Sequence, residues 1–178
     1  MSRLSKAQLA GVIAVTSGAV LVISLMLDWW GLPDDLLHPP ANAPKEIQFM
    51  AEAYADSGQV IAHDGFEFFE VRDVIWLITG IVAFVFGLAL LLSLPAARVL
   101  GVAVGALGLV SLILVAMALI SPPDFLKINE ERGGSPLGLD FDLPLSRKVG
   151  GWLALAASLS ITASAVLATR GPRGQAGV

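Results

Sequence analysis

His63, Glu67 and Glu70 stand at i, i+4 and i+7, a spacing that would put an imidazole and two carboxylates on one face of a helix. With Asp64 beside them they could hold a divalent cation. Gly65 interrupts that helix, however, and the spacing matches no recognised metal motif. A solvated acidic loop accounts for the same residues with fewer assumptions. His38, ahead of Pro39-Pro40, reads as an ordinary loop histidine. No Ser-His-Asp set, phosphate loop, HExxH or paired-carboxylate motif stands in a workable context. Cysteine is absent, which removes disulfides, thiolate metal sites and Cys nucleophiles together. The expectation is a protein that is not an enzyme and carries no cofactor.

The segments that would have to position these residues are unusual. All fifteen acids fall in two blocks, Asp28 to Asp73 and Asp124 to Asp142. Between and around them run Leu9 to Leu27 (closed by Asp28-Trp29-Trp30), Val74 to Leu94, Val99 to Ile120 and Val149 to Thr169. Each run is long enough, at about 1.5 Å per residue, to cross a hydrocarbon layer of about 30 Å. None contains Asp, Glu, Lys, Arg or His. The predicted fold is an all-α integral membrane protein: a four-helix transmembrane bundle with spans 9–30, 72–94, 98–120 and 148–169. Loops 31–71 and 121–147 form a small extracytoplasmic cap, and 171–178 is a tail. Net charge is −4 at pH 7 with no basic stripe, which argues against nucleic acid as a partner.

The first run is longer than a signal-peptide core and lacks a nearby small-x-small site, so it reads as a retained anchor. Arg3 and Lys6 precede it, and no further basic residue follows until Lys45. That pair places the N-terminus in the cytoplasm, and four crossings bring the C-terminus to the same side. The second and third runs are joined only by Pro95-Ala96-Ala97-Arg98 and must lie antiparallel and adjacent. In the first long loop, Pro44 behind a possible cap at Asn42, with Ile47, Met50, Ala51 and Tyr54 at helical spacing, predicts a short amphipathic helix from Pro44 to Ser57. Its apolar face would meet the membrane surface or the loop's own core. His63-Asp64-Gly65 is a turn signal: either the tip of a small hairpin or the start of a helical entry from Phe66. Leu137, Leu139, Phe141 and Leu143 alternate with small or acidic residues and predict a short strand.

Several residues near the outer rim carry structural expectations. Asp28, Arg72 and Asp73 would pair across the first hairpin and fix its register. Trp29, Trp30, Trp76 and Trp152 cluster at the outer ends of three spans and read as an interfacial aromatic belt. Gly101, Gly105 and Gly108 give the third span a small-residue stripe, expected to seat the first or second span, with a homo-oligomeric contact as the alternative. Ser158, Ser160, Thr162 and Ser164 can bond back to their own helix, so they imply no polar pathway.

Ser24-Leu25-Met26-Leu27-Asp28-Trp29-Trp30, Gly65-Phe66-Glu67-Phe68-Phe69-Glu70-Val71-Arg72-Asp73 and Arg147-Lys148-Val149-Gly150-Gly151-Trp152-Leu153 together resemble a loose group of small four-span bacterial membrane proteins of actinobacterial type. Asp28 departs from that pattern, in which proline is expected. The group has no assigned activity, so the resemblance implies a fold and a bacterial inner membrane but no catalytic residue. The plan with a larger first outer loop is also similar to that of claudins, and Trp30-Gly31-Leu32 echoes their first-loop motif without their cysteines. The functional expectation is a non-enzymatic accessory or scaffold protein. It would sit in the lipid bilayer and bind a membrane or envelope protein, or a second copy of itself. A small transporter or channel subunit is one alternative. A sensor or metal-binding module built on His63, Glu67 and Glu70 is the other.

Overall fold

A computed structural model describes residues 5–33, 38–56, 62–66, 71–94, 97–121 and 146–169, with the side chains at 46, 50, 53–56, 63 and 97–99 outside that description. Along the chain the elements are α1 (Lys6–Ser24), β1 (Asp28–Gly31), α2 (Lys45–Asp56), β2 (Ala62–Asp64), α3 (Val71–Leu91), α4 (Ala97–Ile120), β3 (Ser146–Arg147) and α5 (Val149–Thr169). The structure is mostly helical, and α1, α3, α4 and α5 are long and apolar enough to cross a membrane. A three-stranded sheet of order β2-β1-β3, antiparallel throughout, closes one end of the bundle.

The helix termini follow from local chemistry. Ser5 and Gln8 form a capping box on α1: the Gln8 N–H donates to Ser5 Oγ (3.2 Å), and the Ser5 N–H donates to Gln8 Oε1 (2.9 Å). Two donors that the helix leaves unpaired are thereby satisfied. At the far end, α1 stops at Ser24, short of the Trp30 expected from the apolar run. Its last turn tightens into i→i−3 bonds at Leu25, Met26 and Leu27. Two carbonyls of this turn also gain partners from elsewhere: the Trp29 indole donates to Ser24 O (2.7 Å) and the Gly65 N–H to Leu25 O (3.0 Å). With those acceptors filled, the chain is free to leave the helix and become β1. α3 ends in a Schellman motif, with Leu94 N–H donating to Ala89 O and Ser93 N–H to Leu90 O. Ser93 takes the left-handed position at φ 57°, where glycine is usual.

α2 begins one residue later than the spacing predicted. Pro44 lies just outside it, its carbonyl accepting from Ile47 and Gln48. The Gln48 side chain reaches back to Ala41 O and Ala43 O and pins the lead-in. Ala51 is buried and Ile47 half-buried, so this face packs on the protein. The His63-Asp64-Gly65 turn is overturned in part. His63 and Asp64 lie in a strand that pairs with β1, and the helical conformation begins at Gly65–Phe66. Asp64 Oδ1 accepts from the Phe66 N–H (2.9 Å) and so caps that turn. The predicted strand at 137–143 and residues Glu67 and Glu70 lie outside the described residues.

In the bundle α1 lies between α3 and α5, α4 packs on α5, and the α3–α4 side is the thinnest seam. On α1 and α5 the inward faces are mostly small, while α3 also buries Trp76 and Phe86 and α4 buries Val104 and Val115. α1 turns Ala10, Gly11, Ala14, Ser17 and Gly18 inward, and α5 turns Gly150, Gly151, Ala154, Ala157, Ser158 and Ala165 inward. The large side chains Ile78, Ile81, Val85, Val102, Ile113 and Leu159 point out and are exposed. Small inward residues let helix backbones approach closely. The tightest approach is α1 on α3, where a Cβ at Gly18 would stand 2.5 Å from Gly80 O and one at Gly87 would stand 2.6 Å from Gly11 O. The α3–α4 side is held wider by Phe86, whose ring lies against Gly101.

The glycine stripe of α4 faces a different helix from the one expected. Gly105 meets Ala165, and Gly108 meets Thr162 and Ile161, all of α5. Gly101 meets Thr169 of α5 as well as Phe86 of α3. The reason lies in the partner: α1 and α3 fill each other's small faces, while α5 offers alanine and serine to α4.

Candidate functional site

The sheet end is the most chemically diverse part of the described structure, and it is organised around tryptophan. β1 pairs with β2 through Asp28↔Asp64, Trp30↔His63 and Gly31↔Ala62, so two β1 steps match one on β2 and Trp29 is the extra residue. Such a bulge breaks the alternation of a strand and re-aims a side chain. Here two consecutive tryptophans are both buried, Trp29 at 0% and Trp30 at 2% exposure. Trp29 stacks on Trp76 of α3, ring centroids 4.7 Å apart and planes 26° apart. The close approach of α5 to this ring requires Gly150, where a Cβ would stand 2.7 Å from both Leu27 O and Trp29 Cδ1.

Trp30 and Arg147 together finish α4. The Trp30 indole donates to Ala118 O (3.2 Å), and Arg147 Nε donates to Leu119 O (2.7 Å). The guanidinium lies 5.6 Å from the centre of the Trp30 ring, within cation–π range. Two carbonyls of the last turn of α4, which a helix cannot satisfy internally, are thus capped from β1 and β3. Trp30↔Arg147 and Gly31↔Ser146 pairing, Ser146 Oγ donating to Gly31 O (3.2 Å) and Lys148 N–H donating to Trp29 O (2.8 Å) tie β3 to β1. One strand therefore connects the sheet-side ends of all four long helices.

The aromatic-belt expectation fails for three of its four residues. Trp29, Trp30 and Trp76 are core, and only Trp152, 52% exposed, faces outward. The expected pairing of Asp28, Arg72 and Asp73 is also absent: among the described residues they form no ion pair. Asp28 lies across from Asp64, a like charge. Asp73 is buried in the first turn of α3 and accepts from the Val74 N–H (2.6 Å), a placement that suits the positive end of the helix. Arg72 is exposed. Of His63, Glu67 and Glu70 only the backbone of His63 is described, and no cluster of three His, Asp or Glu among the described residues could hold a metal.

Five hydroxyls of the long helices are occupied locally. Ser24 donates to Leu21 O, Thr79 to Ile75 O, Ser160 to Ala156 O, Thr162 to Ser158 O and Ser164 to Ile161 O. Ser158 differs from the back-bonding expected of it: its Oγ is 2.9 Å from Ser111 Oγ, a buried link between α5 and α4. Only the Ser111–Ser158 link joins two helices, and these groups form no chain of free donors and acceptors among the described residues.

Sequence reasoning passed over Arg147 and the α1–α3 glycines. The signal for the glycines was present: Gly11, Ala14 and Gly18 repeat at the same intervals as Gly80, Ala83 and Gly87. No protein-family model matches the chain, and comparison with curated proteins and with solved structures gives no match. The reading of this site therefore rests on its own geometry.

Proposed function

We propose that this is an integral membrane protein of four spans, with both termini in the cytoplasm of a bacterium, that acts as a non-enzymatic accessory or scaffold subunit. The observation that carries the membrane reading is the size pattern. Four long helices expose Ile, Leu, Val, Phe and Met along their outer faces, while α1 and α5 pack mainly through Gly, Ala and Ser. Water penalises so continuous an apolar surface, and lipid does not. The sheet then stands at the extracytoplasmic face and carries the two acidic segments.

The accessory reading follows from what the polar groups do. Inside the bundle the hydroxyls of Ser24, Thr79, Ser111, Ser158, Ser160, Thr162 and Ser164 are each bonded to a helix carbonyl or to another hydroxyl, and the sheet end is a tightly tied platform. Such a molecule is built to hold a surface in place. A transport role would call for ionisable or solvated groups along the helices, and the interior described here favours it less. Purification in mild detergent tests the proposal: a stoichiometric membrane or envelope protein should accompany the chain. Recovery as a lone monomer under several mild detergents would overturn it.

A further inference from the structure

We propose that the sheet is seated on the bilayer, with the edge of the hydrocarbon just beneath β1 and lipid acyl chains covering a collar of Met26, Phe66, Val74, Ile120 and Val149. The inference rests on the membrane reading above and adds a depth to it. All five side chains are exposed, Met26 at 68% and Ile120 at 73%. They come from separate passes of the chain, and bonds to the sheet end hold them near one level. Gly65 N–H donates to Leu25 O, which sets Phe66 beside Met26. Lys148 N–H donates to Trp29 O, and a Cβ at Gly150 would stand 2.8 Å from Asp28 O, which sets Val149 beside the start of β1. Arg147 Nε donates to Leu119 O and so sets Ile120. Trp76 stacks on Trp29, and Val74 stands two residues, about 3 Å of helix rise, above it.

The shape of this apolar surface selects lipid as its occupant. α1 lies between α3 and α5, and α4 packs on α5 and α3, so residues at the sheet-side ends of all four helices surround the bundle. A docked protein would cover one side, whereas acyl chains cover every side. The collar also continues the exposed rows below it, through Ile23 on α1, Ile78 on α3, Met117 on α4 and Trp152 on α5. Above it the surface turns polar within a residue or two on three passes: Met26 gives way to exposed Asp28, Ile120 to exposed Ser121, and Val149 to Lys148 and exposed Arg147. Such a step at one level marks the boundary between hydrocarbon and headgroups. Trp152, half-exposed one turn below Val149, takes the interfacial place that an indole favours. Arg72, exposed between Val71 and Val74, can lay its stem on hydrocarbon and keep its charge among the headgroups.

The full chain in liposomes provides the test, and the absence of cysteine allows one spin label at a time. Labels go on Met26→Cys, Ile120→Cys and Val149→Cys in the collar, on Ile81→Cys and Leu159→Cys in mid-span, and on Asp28→Cys above the step. Molecular oxygen concentrates in hydrocarbon, and a nickel chelate stays in water. Oxygen collisions should dominate at the collar and mid-span sites, and nickel collisions at Asp28→Cys. Nickel dominance at the collar with oxygen dominance in mid-span removes the proposed depth and leaves the membrane reading standing. Nickel dominance at both removes both. Protection of the collar from both reagents means that protein covers it and overturns the proposal. The unsubstituted chain supplies a second measurement, because Trp29, Trp30 and Trp76 are buried and Trp152 is the indole open to lipid. Phosphatidylcholine brominated near the headgroup end of its chains should quench Trp152 more than lipid brominated near the chain ends. The opposite order, or no loss of fluorescence with either lipid, overturns the proposal.

Discussion

Gly18→Ala should destabilise the bundle, and Gly105→Ala should not. In isolation each replacement favours a helix, by about 1 kcal/mol, so any loss must come from packing. A Cβ at Gly18 would stand 2.5 Å from Gly80 O and 2.8 Å from Phe84 N, both backbone atoms that no rotamer change can move. Restoring ordinary contact forces α1 and α3 apart by roughly 0.8 Å, enough to forfeit a quarter to a half of the dispersion energy of neighbouring contacts. Gly11 and Gly87, one further heptad along the same seam, would feel that separation. Overpacking of this kind costs on the order of 1–3 kcal/mol, so the net effect of Gly18→Ala is a loss of up to about 2 kcal/mol after the propensity gain. At Gly105 the new methyl meets only Ala165 Cβ, at 3.3 Å, and the propensity gain should offset the small adjustment. Reversible unfolding by SDS in bicelles, followed by circular dichroism, measures both. If Gly105→Ala costs as much as Gly18→Ala, or Gly18→Ala is neutral, the α1–α3 seam is not the closest contact in the bundle.

Ser93→Gly should raise the unfolding midpoint, by up to about 1 kcal/mol, because φ 57° is strained for serine and not for glycine; the same titration reads it. Arg147→Gln removes the bond to Leu119 O and the charge over Trp30, and should cost about 1–2 kcal/mol. Arg147→Lys should recover only part of that loss, since an ammonium lacks the planar fork; full recovery would show that charge alone matters. The absence of cysteine allows single-site labelling of the proposed topology. A cysteine at Lys45 should react with a membrane-impermeant maleimide in intact cells, and one at Gly171 should react only after lysis. The reverse pattern would invert the orientation.

The four long helices were legible because an apolar run of that length admits few other structures. α2 was legible for a different reason: Pro44 and the spacing of Ile47 and Ala51 carry local signals that need no tertiary partner. Trp29 and Trp30 were misread because a tryptophan beside the end of an apolar run looks the same whether it faces lipid or core. Only the bulge in β1, created by pairing with a distant strand, turns both inward. The end of α1 was misplaced for a related reason. Its cap comes from the Trp29 indole and Gly65, and a cap supplied from another segment leaves no mark at the helix terminus. The seam of the α4 glycines was ambiguous because a small stripe says that something approaches closely without saying what. The metal constellation falls largely outside the described residues, and its merit is unchanged by the structure.

The sheet gives the two acidic segments a common design. Residues 32–61 leave and return at Gly31↔Ala62, a backbone pair of β1 and β2. Residues 120–146 leave after Leu119 and return at Arg147, whose side chain bonds Leu119 O. Each segment is therefore closed at its neck, the first by β1 with β2 and the second by β3 with the end of α4. Loop-closure entropy grows only slowly with the number of residues beyond a closed neck, so the length and composition of either segment can change with little effect on the helices below. Binding surfaces placed on closed loops over a rigid frame can diversify while the frame stays constrained. In this protein the frame is Trp29, Trp30, Trp76 and Arg147, and the two acidic segments start and finish on it.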